Sequence, residues 1–369
     1  MKVPFLDLKA QYAQIKDEVL PEIHWVLDNT AYVLGKPVFE FEKEFAKVHN
    51  IKHVFGVSAG TDGNHIALWA LGIGPGDEVI IPANTFIATA WGATLCGAKP
   101  VFVDCHPDSY NIDPDKVEAA ITPKTKAIVA VHLYGQAADM DSLREIAENH
   151  NIYLVEDAAQ AHYAEYKGKK VGGLSHASSF SFYPGKNLGA YGEAGAVGTN
   201  DDDLAEKMKM IRDHGAKDKY YHIMYGHNYR MEAIQGAVLG VKLKHLPEWT
   251  EGRRRVAQKY YEILSDLDTI KLPKEMDYAK HVYHLFVIQV LKKDRDDLRN
   301  FLNEKGIATG LHYPVPLHLQ QCFSHLGYKK GDFPVAETLA ERGLSLPIYP
   351  EITDEQIEYV ANSIKKFYK

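Results

Sequence analysis

The segments AIVAVHL at 127–133 and IYLVEDA at 152–158, with helical spacing across Asp139–Asn149 between them, decide the fold class. Each apolar run is too short for a buried helix and lacks the alternation of a half-exposed strand. Both are therefore expected to be strands covered on two faces. The same rhythm continues outward. VIIP at 79–82, PVFVD at 100–104 and SSFSFYP at 178–184 are further expected strands. Asp113–Ile121 and Asp201–Asp213 have helical spacing. Strands alternating with helices predict an α/β fold with a mostly parallel central sheet flanked by helices. From about residue 229 the pattern changes. Met231–Leu246 reads as one long helix interrupted by Pro247, and a smaller α+β unit is expected beyond it. There a strand through His281–Leu291, a helix over Asp294–Lys305 and a last helix capped by Thr353 with Gln356 three residues on are expected. The expected division is a large domain over 1–247 and a small C-terminal domain over 248–369.

Composition excludes several classes. With 369 residues, 42 Lys and Arg against 49 Asp and Glu, and a net charge of −7, the chain lacks the basic excess of a nucleic-acid protein. Three cysteines cannot build a disulfide framework, and a reducing, cytoplasmic setting is expected. The start, MKVPFLDLKAQY, has no apolar core of a signal peptide. Between Glu78 and Lys99 lie 20 uncharged residues, but Pro82, Asn84, three threonines and two glycines among them suit strand, loop and helix better than lipid. The 18 histidines raise metal binding. However, His281 and His284 fall in a strand pattern that would send their side chains to opposite faces, and no H-E-x-x-H occurs.

Ligands of open α/β sheets bind beyond the carboxyl ends of the strands, so the residues there are the candidates. Asp157 follows one expected strand and Lys186 the next. Ser58-Ala59-Gly60-Thr61-Asp62 opens a helix ending near Leu71, whose free N–H groups and dipole suit a phosphate. Phe86 follows another strand end. Each alone has a plain structural explanation: a cap, a solvated lysine, a core aromatic. Together they describe one ligand. A lysine forms a Schiff base, an acid holds a pyridinium nitrogen, an aromatic covers a ring face, and a helix N-terminus holds a phosphate; pyridoxal 5'-phosphate needs that set.

The motifs agree. PFLDL at 4–8, YVLG at 32–35, SAGTD at 58–62, ANTFIATA at 83–90, HLYGQAADM at 132–140, EDAAQAH at 156–162, SFSFYPGKNLGAYGEAGAV at 179–197 and NYRMEAIQGA at 228–237 span the chain. With them the chain resembles the DegT/StrS family of pyridoxal-phosphate-dependent nucleotide-sugar aminotransferases, which have the fold-type I architecture. The resemblance implies that Lys186 bonds the cofactor and Asp157 pairs with its ring nitrogen. It also implies that Gln160 lies near the ring hydroxyl and Phe86 stacks on the ring. Gly60, Thr61 and Ser181 would hold the phosphate, joined by Asn228 from the partner subunit of a homodimer. Lysine at 186, where some members carry histidine, implies transamination and not dehydration, with L-glutamate as amino donor. GLHYPVPLHLQ at 310–320 and HLYGQAAD at 132–139 together are most like enzymes that aminate C3 of a dTDP-3-keto-6-deoxyhexose, giving a dTDP-3-amino-3,6-dideoxyhexose. C4 amination of a dTDP-4-keto sugar and a non-catalytic, cofactor-binding regulator are the alternatives. Tyr183, His312 and Tyr313 are candidate contacts to sugar or nucleotide. Arg230 is a candidate for a carboxylate or diphosphate, or for an interface ion pair. Gly63, Tyr163 and Glu193 depart from the family's usual Ala, Gly and Asp.

Overall fold

A computed structural model describes all 369 residues. The core is a sheet of seven strands: β1 His53–Val57, β2 Glu78–Pro82, β3 Lys99–Val103, β4 Thr125–Val131, β5 Tyr153–Asp157, β6 Ala177–Ser181 and β7 Gly195–Thr199, in spatial order β1-β7-β6-β5-β4-β2-β3. Pairings β2–β3, β2–β4, β4–β5 and β5–β6 are parallel, whereas β7 runs antiparallel to both its neighbours. Six strands therefore point their carboxyl ends to one edge. The five expected strands are all present; β1 and β7 are additional. Their sequences, HVFGV and GAVGT, are short and glycine-bearing, so apolar content alone does not mark them.

Helices cover both faces. The chain continues through α1 Leu8–Asp28, α2 Lys36–His49, α3 Gly60–Ala70, α4 Ala88–Leu95, α5 Pro114–Ala120, α6 Met140–Asn149 and α7 Asp202–Arg212. Asp113, Asp139 and Asp201 cap α5, α6 and α7 by accepting backbone N–H bonds, which fixes where each crossover starts. On one face Phe45 of α2 meets Phe180 and Phe182 edge-on at 4.9 and 5.3 Å, locking α2 to the strand that leads to Lys186.

The main correction concerns α8. It runs Ala233–Leu264 without a break, straight through Pro247, where sequence reasoning ended the helix. Proline forfeits one backbone hydrogen bond. Buried side chains on both sides of it, Leu246 and Trp249 among them, hold the helix together regardless. The residues after it build an antiparallel sheet of β8 Ile270–Lys271, β9 Phe286–Val290 and β10 Gly343–Leu346. It is flanked by α9 Arg295–Glu304, α10 Pro334–Arg342 and α11 Asp354–Tyr368. Thr353 and Gln356 form the expected capping box of α11. The strand expected over 281–291 is confined to Phe286–Val290, so His281 and His284 sit in the preceding loop. No three His, Cys, Asp or Glu side chains gather to hold a metal ion, and no helix is long and apolar enough to cross a membrane.

Candidate active site

The carboxyl edge of the sheet opens onto a cavity of about 670 Å3. Ten of the twelve residues singled out from sequence line it: Gly60, Thr61, Phe86, Asp157, Gln160, Ser181, Tyr183, Lys186, His312 and Tyr313. Asn228 and Arg230 do not. Asn228 is exposed, and Arg230 pairs with Asp213 at 2.5 Å beside a separate cavity.

Asp157 ends β5 on the cavity floor and is 3% exposed. Its Oδ2 accepts from Asn64 Nδ2 at 2.9 Å and Thr89 Oγ1 at 2.8 Å; its Oδ1 accepts from the Ala159 N–H at 3.1 Å. Asn64 is itself held by the Ser179 hydroxyl, and Thr89 by Thr85 at 2.9 Å. The carboxylate is thus fixed by donors from α3, α4 and its own turn. Lys186 lies four residues past the Phe182 anchor, and while its backbone N–H donates to the Tyr183 carbonyl at 2.9 Å, its Nζ makes no hydrogen bond to the protein. Burial pulls its ammonium down to about 8, and the Asp157 charge opposes this. A lysine so placed is a readily neutralised amine beside a fixed carboxylate.

The phosphate end is built by close approach. α3 begins at Gly60 with no side-chain cap, so its first N–H groups are free and face the cavity. A Cβ on Gly60 would lie 2.6 Å from the Ser181 Cβ, and one on Gly195 of β7 would lie 2.4 Å from the Ala59 carbonyl carbon. Glycine at both positions lets the helix start rest directly on the strands. Gly63 has the same cause: a Cβ there would come within 2.8 Å of the Ala196 oxygen.

The opposite wall is aromatic. Gln160 Nε2 donates to Tyr313 Oη at 2.9 Å while its Oε1 accepts from the Tyr134 N–H at 2.6 Å. His312 stacks on Phe5 with ring centroids 5.7 Å apart, and its Nδ1 faces Ser345 Oγ at 2.8 Å. Burial first, then the Lys186 charge, lower His312 to about 4, so its imidazole is neutral at physiological pH. Phe86 and Tyr183, 53% and 54% exposed, stand at the mouth. Phe86 approaches Tyr313 at 5.7 Å, tilted by 39°. Tyr163 adopts φ +72°, a left-handed backbone that glycine takes more readily, with the Lys170 ammonium 3.1 Å above its ring.

The residues present fit pyridoxal phosphate: an unpartnered amine, a three-fold-held carboxylate and an uncapped helix start meet in one cavity. Sequence reasoning missed Asn64, Thr89, His284 and Arg253, all of which line it. Thr89 lay inside a quoted motif; the other three carry no local signal, because only folding brings them to Asp157 or Lys186.

Comparison with known proteins agrees. The pattern of the DegT/DnrJ/EryC1/StrS aminotransferase family matches residues 13–365. A "pleiotropic regulatory protein" of Geobacillus stearothermophilus is 50% identical, covering 100% of this chain and 99% of the relative. The dTDP-3-amino-3,4,6-trideoxy-alpha-D-glucose transaminase of Streptomyces venezuelae is 44% identical over 99% of this chain and 96% of its own. The crystal structure of S. venezuelae DesV with a ketimine intermediate superposes with a TM-score of 0.97 at 44% identity, covering 100% of this chain and 99% of that one. The chain belongs to the DegT/DnrJ/EryC1/StrS family and is a pyridoxal-phosphate-dependent sugar aminotransferase of fold-type I architecture.

Proposed function

We propose that this protein moves an amino group from L-glutamate to C3 of a dTDP-3-keto-6-deoxyhexose, giving a dTDP-3-amino-3,6-dideoxyhexose. The observation that carries the chemistry is the unpartnered, readily neutralised Lys186 amine in the same cavity as the fixed Asp157 carboxylate. When bound, pyridoxal phosphate supplies a ring that accepts the electron pair left as a proton departs from the substrate carbon. Asp157 holds the proton on the ring nitrogen, and Asn64 and Thr89 keep its carboxylate aimed there. Lys186 Nζ, once freed by the incoming amine, takes the proton from one carbon and returns it to the other. The first N–H groups of α3, with Thr61 and Ser181, bind the phosphate. Phe86 covers the ring from the mouth. Gln160 is fixed by Tyr134 and Tyr313 and orients the ring's polar edge.

Asn228 and Arg230 stand outside the cavity of their own chain, which supports a homodimer in which they serve the partner's cavity. Tyr183, His312 and Tyr313 border the space left for sugar and nucleotide. The C3 assignment rests on the 310–320 segment and on the 3-amino-sugar activity named for the Streptomyces venezuelae relative. Three free thiols and a nucleotide-sugar substrate support a cytoplasmic setting for the reaction.

The test is a glutamate-dependent amination with dTDP-3-keto and dTDP-4-keto-6-deoxyhexoses, the products located by NMR. An amine at C3 is the expected result. An amine at C4 would keep the cofactor chemistry and overturn the substrate. No product from either sugar, with cofactor bound, would favour the regulatory role named for the Geobacillus relative.

A further inference from the structure

Three successive arginines on α8 have different surroundings. Arg254 pairs with Glu275 at 2.7 Å and Arg255 with Asp354 at 2.5 Å, both toward the surface. Arg253 is 4% exposed, lines the cavity and has no carboxylate within ion-pair distance. Its Nη1 donates to the carbonyls of Tyr283, His284 and Ile348 at 3.1, 3.3 and 2.9 Å. Its Nε and Nη2 meet no protein acceptor, yet they are not sealed off as the Nε atoms of Arg212 and Arg230 are. One nitrogen anchors the guanidinium while the rest of the fork faces open space. Burial lowers this group to about 10, with the Glu351 charge opposing the shift. A buried cation with no carboxylate in direct contact is costly, and an anion reaching its free nitrogens from outside the chain lowers that cost.

Three anions take part in the proposed reaction. The cofactor phosphate has its own cradle at the start of α3. A nucleoside diphosphate is bulky and must enter at the mouth, where Phe86 and Tyr183 are more than half exposed. A carboxylate is small and planar, matches the guanidinium fork, and can reach the floor. The imidazole of His284, whose carbonyl helps anchor Arg253, is kept neutral by burial and by the charges of both Lys186 and Arg253. Lys186, His284 and Arg253 all line the one cavity.

We propose that Arg253 receives the carboxylate of the amino donor, holding it with Nε and Nη2 while the donor's amine meets the Lys186 position. This rests on the transamination reading and names the residue that makes an amino acid, and not a plain amine, the donor.

The cofactor-loaded enzyme is mixed with L-glutamate without nucleotide sugar, and the change in cofactor absorbance gives a donor Kd and a limiting rate. Binding of dTDP is titrated separately. Arg253→Met is expected to raise the glutamate Kd about 100-fold and Arg253→Lys, which keeps the charge and loses the fork, about 10-fold. The dTDP affinity of both should stay within about twofold of wild type, a split that general damage to the fold would not give. Should Arg253→Met not fold, Arg253→Lys decides alone. A glutamate Kd unchanged in the folded variants overturns the proposal, as does a loss confined to dTDP. A wild-type enzyme that responds to no amino acid overturns the transamination reading itself. A responsive wild type with indifferent variants overturns only the role of Arg253.

Discussion

The cavity floor and the 214–230 surface are made on opposite principles. At the floor the Asp157 carboxylate and the Gln160 amide are held by partners in the same chain. Asp157 alone draws donors from three separate segments. The 214–230 segment forms a small hairpin, Ala216–Asp218 against Tyr221–His222, and leaves large apolar groups in water. Tyr220, Tyr221 and Tyr225 are 77%, 73% and 88% exposed, and Asn228 lies nearby with its side chain free. Clustered exposed aromatics of this size mark an interaction surface. Lys186, Asp157 and the residues that hold the carboxylate thus come from one chain and one cavity, whereas the 214–230 surface exposes its aromatic side chains outside that cavity.

The largest effect should come from the floor. Lys186→Ala is expected to abolish covalent cofactor attachment, read by mass spectrometry after borohydride reduction, and to lower turnover by at least about 1,000-fold. An adduct of unchanged yield would show that another amine holds the cofactor. The sharpest test of the contrast pairs that variant with Asn228→Ala. Each should be nearly inactive alone. Mixed as subunits, they should recover about one quarter of wild-type activity, since half the dimers are hybrids with one intact site each. Absence of recovery in proven hybrids would mean that Asn228 serves its own chain.

Asp157→Asn removes the charge but keeps the shape, and the Asn64 and Thr89 contacts can partly survive. Turnover is expected to fall about 100- to 1,000-fold with the fold intact, a loss in the range seen for removing one electrostatic stabiliser. A variant of near-wild-type rate would show that the ring nitrogen needs no charged partner. Gly60→Ala forces a Cβ to 2.6 Å from Ser181, and the resulting overpacking of about 1–3 kcal/mol should weaken cofactor binding roughly tenfold or more by equilibrium dialysis. Unchanged binding would place the phosphate elsewhere.

The smallest effect concerns pH. The native Lys186 titrates at about 8, below the 10.5 of a free lysine. Between those values the unfolded chain binds more protons than the folded one, so this group makes cofactor-free protein more stable as pH rises from about 8 to 10.5. Lys186→Ala should flatten that part of the profile of Tm against pH. A profile identical to wild type would show that burial does not tune this amine.

Some of this was legible before folding. The five apolar runs, the aspartate caps of α5, α6 and α7 and the capping box of α11 depend on neighbours within a few residues, which is the range over which a sequence speaks directly. Asp157, Lys186 and Gly60 were readable because strand ends and helix starts are themselves local features. β1 and β7 escaped because their glycines serve close approaches, Gly56 to Met231 and Val38 and Gly195 to the start of α3, that no neighbouring residue records. Pro247 misled for a related reason. A local breaker was outweighed by packing along the whole of α8, and the same continuity carries Arg253 to the cavity.

The sequence by itself determined an α/β chain with a lysine and an acid at adjacent strand ends, because hydrophobic period and chain order fix the sheet and its carboxyl edge. Only the tertiary structure decided which partners those two residues have. Asn64 and Thr89 reach Asp157 from 93 and 68 residues away, Arg253 turns from surface helix to cavity floor, and Asn228 and Arg230 are left outside. Such contacts depend on how crossover helices and the second sheet settle in three dimensions, a distance over which a linear pattern carries no information.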